Sequence, residues 1–305
     1  MKKTSIPRRI AILAAASLSF LAACGGSDTS SDASSDASSD TAAAATSESV
    51  RIVSLSPTAT EMLYAIGAGD LVVAVDSLST FPAETADKVT EISAFEPSAE
   101  AILGYEPDLV LISNDMNKIS EQLTSADPGI TVWTGAAAAS LDDVYRQIGE
   151  LGAATGREEA AAALVADMES KIKAATAGVT APAGASYFYE LDNTLYSVTS
   201  NTFVGSLLKA TGIANIADGV EEGNDYPQMN AEAIIKANPS IIFLADTKCC
   251  GQNAAVVAKR PGWSGIDAVK NGNVVELDDD VASRWGPRVV DLVTQMAQAI
   301  KALQK

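Results

Sequence analysis

Apolar positions along this chain gather into short unbroken runs set between longer amphipathic stretches. "RIVSL" at 51–55 reads as a buried strand. Ser56 and Pro57 then signal a helix start, a hydroxyl N-cap with proline at the first helical position. That helix is predicted to carry Met62, Leu63 and Ile66 inward and to stop at Gly67. "SAEAILGYEPDLVLIS" at 98–113 predicts a short helix capped by Ser98, an end imposed by Pro107, and a strand over "DLVLIS". The same pattern returns at 230–245, "NAEAIIKANPSIIFLA", with Asn230 as the cap and the Ala-Glu-Ala-Ile run and the proline retained. Ahead of it, "TLYSV" at 194–198 reads as a strand, and "TSNTFVGSLLKATG" as a helix closed by Gly212. One order of elements therefore occurs twice.

Unbroken apolar strands alternating with helices predict an α/β fold whose parallel-rich sheets are covered on both faces. The repeat divides it into two Rossmann-like lobes, at 50–155 and 179–305. Between them, residues 156–178 lack any internal Gly or Pro before Gly178 and are rich in Ala, Glu, Lys and Met. They predict one helix of ~20 residues, ~30 Å long. Ligands of parallel sheets sit off the carboxyl ends of the strands, so two lobes facing each other enclose a ligand cleft. A stiff connecting helix is a poor hinge, and small lobe motion is expected.

The first residues break this pattern. Lys2, Lys3, Arg8 and Arg9 precede an apolar run from Ile10 to Ala23, which ends in Leu21-Ala22-Ala23-Cys24. A basic start, a short apolar core and small residues describe a secretory signal at 1–23. The run is too short for a membrane-spanning helix, which needs ~20 apolar residues. Leu-Ala-Ala-Cys is similar to a bacterial lipobox, with Cys24 as the lipidated residue; ordinary cleavage with a free Cys24 is the alternative. Residues 24–49, rich in Ser, Asp and Ala, read as a disordered tether. The protein is thus expected to be extracytoplasmic and lipid-anchored to a bacterial cell membrane.

Composition excludes several chemistries. The chain holds 21 basic and 39 acidic residues, a formal net charge of −18, which argues against nucleic acid as a partner. Histidine is absent, which excludes a Ser-His-Asp triad, a Cys-His pair and a His-liganded metal. No spacing singles out a carboxylate pair or Ser-Lys pair as a substitute, so no catalytic residue and no resident metal site are expected, and a secreted hydrolase is the weaker class. Cys249 and Cys250 are adjacent in "TKCCGQ". In an oxidising compartment they can close a vicinal disulfide, or remain two thiols.

From Arg51 to about Leu303 the chain resembles the helical-backbone substrate-binding proteins of ABC importers for cobalamin and ferric siderophores, with the cobalamin branch most similar. "RIVSLSPTATEMLYAIGA", "EPSAEAILGYEPDLVLIS", "YPQMNAEAIIKANPSIIFLA" and "SRWGPRVVD" carry the resemblance. It implies a monomeric binding protein, not an enzyme, without a cofactor of its own. Its partners would be a permease, an ATPase and a small-molecule metal complex. Glu100 and Glu232 match the acidic residues by which each lobe docks on permease arginines. Equally, an acid in a helix's first turn suits the macrodipole and is worth ~0.3–1 kcal/mol there. The resemblance places Phe95, Tyr196 and Tyr226 as cleft aromatics, Asp280 and Arg284 as polar cleft residues, and Trp285 as an apolar wall. Loop anchoring would also account for the aromatics, a solvated turn for the Asp278–Asp280 run, and a lobe-closing salt bridge for Arg284. Tyrosine and phenylalanine stand where the cobalamin branch has tryptophan, so a ferric siderophore stays open as the ligand. For an anionic ferric chelate, basic cleft residues are expected, and Lys248, Lys259, Arg260, Arg284 and Arg288 are the candidates. Haem is disfavoured, because histidine is absent and no tyrosine lies in 92–97, where haem-binding relatives carry their axial ligand.

Overall fold

The structure, a computed structural model, describes residues 49–304. The leader, Cys24 and all of the tether but Ser49 lie outside them. The first lobe begins with β1 (Ile52–Leu55), α1 (Pro57–Ala65) and β2 (Val72–Val75), continues through α2 (Ala99–Leu103), β3 (Leu109–Ile112) and α3 (Ile119–Ala126), and closes with β4 (Thr131–Thr134) and α4 (Leu141–Thr155). Then comes α5, Glu158–Thr176, inside the stretch where one helix is predicted. The second lobe runs β5 (Ser186–Glu190), α6 (Phe203–Lys209), β6 (Ala214–Asn215), α7 (Ala231–Ala237) and β7 (Ile241–Leu244). It continues α8 (Thr247–Cys250), α9 (Ala254–Ala258), α10 (Asp267–Lys270), β8 (Val274–Glu276), α11 (Asp279–Ala282) and α12 (Val289–Ala302).

Both sheets are parallel and built to one plan, in the orders β2-β1-β3-β4 and β6-β5-β7-β8. The central strands β1, β3 and β7 are buried at every position, as continuous apolar strands covered by helices must be. The two repeated segments occupy equivalent places, α2–β3 and α7–β7. Their caps form as the sequence suggests. The Ser98 hydroxyl accepts from the Ala101 N–H at 3.3 Å, and the Asn230 side chain from the Ala233 N–H at 2.8 Å. Ser56 caps α1 in the same way, through the Ala59 N–H at 3.3 Å.

One strand expectation is corrected. Residues 194–198 are not the opening strand of the second lobe. Asp192 accepts the N–H and hydroxyl of Thr194, and Leu195 adopts φ 69°. That left-handed residue ends any extended run, and Tyr196 keeps only a single antiparallel bridge to Gln228. The equivalent of β1 is instead "SYFYE", whose Tyr187, Phe188 and Tyr189 are buried.

The lobes share more than the connecting helix. On α12, Val289 and Val293 enter the first lobe's core, while Leu292, Met296, Ala297 and Ile300 enter the second's. Helix α12 also packs along α5. Phe203 and Leu207 of α6 lie against the first lobe's core as well. Two packed helices and an apolar seam give a stiff joint, because close-packed interiors resist continuous deformation.

Candidate ligand cleft

Parallel strands aim their carboxyl ends the same way, and a crossover helix returns antiparallel to them. The first turns of α2 and α7 therefore lie at the carboxyl edge of their sheets. Glu100 and Glu232 are both exposed there, each the second residue of its helix.

The segment "SRWGPR" at 283–288 leaves the second lobe and plugs into the first. Arg284 donates to Glu61 Oε1 at 3.0 Å, to the Leu78 carbonyl at 3.1 Å and to Asp280 at 3.0 Å. Arg288 donates to both oxygens of the same Glu61 and lies 4.1 Å over the Phe81 ring. Glu61 sits on α1 and its side chain is only 2% exposed. A buried carboxylate facing two guanidiniums has the partners that burial demands. Trp285 follows, its indole N–H donating to Gln147 Oε1 of α4 at 3.2 Å. Gln147 in turn donates to the Ala136 carbonyl at 2.7 Å.

Beside this plug lies a cavity of about 230 Å³. Ala137 and Ala138 of the first lobe face Val198, Phe203, Tyr226, Arg284 and Trp285 across it. Tyr226 is 56% exposed and stands at its rim. The structure thus brings Tyr226, Arg284 and Trp285 together. Arg284 lines the cavity, but its guanidinium is already held by Glu61, Leu78 and Asp280. Asp280 faces Arg284 and Lys248 without lining the cavity. Phe95, 64% exposed, and Tyr196, 40% exposed, lie outside the lining. Phe203 was not singled out from sequence; as the first residue of a capped helix after a polar turn, it resembled ordinary core.

The two sheet edges differ in chemistry. In the first lobe, the Thr60 hydroxyl is hydrogen-bonded to the Ser54 hydroxyl at 2.9 Å and to the Ser79 hydroxyl at 3.1 Å, donating to one and accepting from the other, all buried. Asp76, at the end of β2, is fully buried. Burial pushes its carboxyl up, against the pull of nearby Ser79, Leu78 and the charge of Arg284, and among the described residues neither of its oxygens finds a hydrogen-bond partner. In the second lobe, Glu190 at the end of β5 is clasped by both guanidinium nitrogens of Arg260. Asp246, two residues after β7, is also fully buried, and among the described residues neither of its oxygens finds a hydrogen-bond partner. Burial, then the neighbouring Glu190 charge, pushes Asp246 up to about 7. Among the described residues no group of three or more acidic or cysteine side chains is placed to hold a metal ion, and no helix is long and apolar enough to cross a membrane.

Two equivalent parallel sheets, a braced joint and a cavity at the facing strand ends define a two-lobed solute-binding protein. The chain belongs to the periplasmic binding protein family, whose model matches residues 52–281. Members of that family bind solutes; they are not enzymes. The chain is 35% identical over 260 residues to an uncharacterized ABC transporter substrate-binding lipoprotein of Bacillus subtilis, covering 83% of this chain and 80% of that protein. It is 33% identical over 261 residues to a cobalamin-binding protein of Halobacterium salinarum, covering 83% and 70%. Among solved structures, the periplasmic vitamin B12 binding protein of Vibrio cholerae is similar with a TM-score of 0.67 at 25% identity, over 84% of this chain and 98% of that one. A periplasmic heme-binding protein from Roseiflexus matches with a TM-score of 0.72 at 26% identity, over 84% and 100%. The fold alone therefore does not select the ligand.

Proposed function

We propose that this protein captures a corrinoid, cobalamin or a close relative, outside the cytoplasm and hands it to an ABC permease, with Cys24 carrying the lipid anchor. One observation favours a corrinoid over an anionic ferric siderophore: the bases suited to an anionic chelate are already committed. Arg260 is paired with Glu190, and Arg284 and Arg288 with Glu61, all on buried carboxylates, whereas Lys248 makes only half-exposed bridges to Asp278 and Asp280 that are worth ~0–1 kcal/mol. Among the described residues, Lys259 alone of the five enters no such pairing; it lies exposed at the end of α9, outside the cavity lining. Prying a guanidinium from a buried carboxylate costs about 3–5 kcal/mol. A large ligand of low net charge asks for no such exchange and gains from the apolar rings of Tyr226, Phe203 and Trp285. Phe95 and Tyr196, both exposed outside the cavity lining, would extend the aromatic surface. The names of the Halobacterium and Vibrio proteins point to the same ligand. The test is the visible spectrum after incubation with cyanocobalamin and desalting. Retained corrin colour supports the reading; retention of ferric-siderophore colour instead would transfer it to that class.

Glu100 and Glu232 serve the hand-over. Paired exposed carboxylates, one at the same edge of each lobe, can steer and orient a basic partner without holding it for long. Glu100→Arg combined with Glu232→Arg is expected to leave ligand affinity unchanged and to abolish uptake; normal uptake by that variant would refute the docking role.

A further inference from the structure

The short helix α8, directly after β7, carries the adjacent pair Cys249–Cys250, joined as a disulfide, with Cys249 exposed. It stands at the carboxyl edge of the second sheet, on the cleft side. An unusual number of charged groups immobilise it. The Asp279 carboxylate accepts the backbone N–H of Thr247 at 2.8 Å, of Lys248 at 3.0 Å and of Cys249 at 2.8 Å. Desolvation is the largest influence on Asp279 and acts upward, but these hydrogen bonds outweigh it and hold the group below the ordinary carboxylate range. The Lys248 ammonium spans Asp278 at 2.8 Å and Asp280 at 2.9 Å. Asp280 is bonded to Arg284, which lines the cavity. From below, the Asp246 carbonyl accepts the N–H of Cys250 and of Gln252, each at 3.3 Å, and Arg260 donates to Gln252 Oε1 at 2.7 Å.

The disulfide adds little to this anchoring. A bridge stabilises chiefly by closing a loop in the unfolded chain, and neighbours close almost none. What it does change is the surface. It removes two thiol donors and fixes two side chains as one apolar, polarizable ring outside the cavity lining, linked through Lys248 and Asp280 to Arg284, which does line it. A rigid apolar group loses little entropy on contact, and cysteine sulfur behaves as a small, polarizable hydrophobe. We propose that the Cys249–Cys250 ring is a pre-set contact for the apolar edge of the bound corrinoid. The inference rests on the corrinoid reading given above.

The experiment uses the native protein with and without saturating cyanocobalamin. A phosphine reductant cleaves the S–S bond to two thiols, which N-ethylmaleimide traps for intact-mass counting. Bound cyanocobalamin is expected to slow trapping about tenfold, and the Cys249→Ser, Cys250→Ser double variant to bind it about tenfold more weakly, equivalent to ~1.4 kcal/mol, with an unchanged melting temperature in the free state. The protection measurement needs no variant and stands if the double variant misfolds. Corrinoid binding with equal trapping rates overturns this inference alone. If the native protein retains no corrinoid, the parent reading fails and this contact fails with it.

Discussion

The two sheet edges that face each other share a strand plan and differ in what fills it. The first lobe ends its strands in neutral hydroxyls, Ser54, Thr60 and Ser79, around one buried acid, Asp76. The second ends them in Glu190, Asp246 and Arg260, with the Asp278–Asp280 run and the vicinal disulfide outside. The two lobes share the scaffold, including the capped Ala-Glu-Ala-Ile helices that hold Glu100 and Glu232. Divergence is concentrated in the loops. Position within the fold is set by strand and cap chemistry, which both lobes need; ligand chemistry is set by loop residues, which each lobe can change separately.

The largest expected effect comes from the joint that makes the two edges face each other. Glu61→Ala strands Arg284 and Arg288 in a partly buried site and is expected to cost about 3–5 kcal/mol in urea unfolding. A loss below ~1 kcal/mol would mean the lobes are held by the α5–α12 seam alone. Next, a Cβ on Gly205 would fall 2.1 Å from the Thr199 carbonyl and 2.6 Å from the Ser200 Cα, backbone atoms that cannot give way cheaply. Gly205→Ala should destabilise by about 1–3 kcal/mol and weaken ligand binding by displacing Phe203.

A pH experiment probes the buried acid of the second edge. Asp246 is pushed from its ordinary 3.8 up to about 7, so between those values the folded protein binds protons that the unfolded chain has lost. Stability from this group is therefore present at low pH and falls as pH rises through about 7. Asp246→Asn removes the penalty, raising stability at pH 7.5 by about 1–2 kcal/mol relative to wild type, with the gap closing near pH 4. A gap independent of pH, followed by thermal melting, would show that Asp246 does not titrate there. The smallest effects test the equivalence of the two caps. Ser98→Ala and Asn230→Ala each remove one cap bond and should each cost ~1 kcal/mol, equally in the two lobes.

Local chemistry made much of this legible from the chain alone. Ser56-Pro57, Ser98, Asn230 and the proline-terminated helices write their elements within a few residues, and α5 follows from composition. The opening strand of the second lobe was misplaced because "TLYSV" looks more like a strand than its turn permits. The Asp192–Thr194 bonds and the left-handed Leu195 decide the matter, and the aromatic run Tyr187–Tyr189 was the signal available. The Glu61 clamp was out of reach, since its partner Arg284 lies 223 residues away and nothing local marks either as half of a pair. A lobe-closing salt bridge for Arg284 is legible from sequence as one of two roles, but its partner Glu61 is not.

The most direct measurement is calorimetric titration of the purified protein with cyanocobalamin, repeated on Tyr226→Ala. One corrinoid per chain, bound about tenfold more weakly by the variant, is the expected result. No heat with cyanocobalamin alongside saturable binding of a ferric siderophore, or corrinoid affinity indifferent to Tyr226, would contradict it.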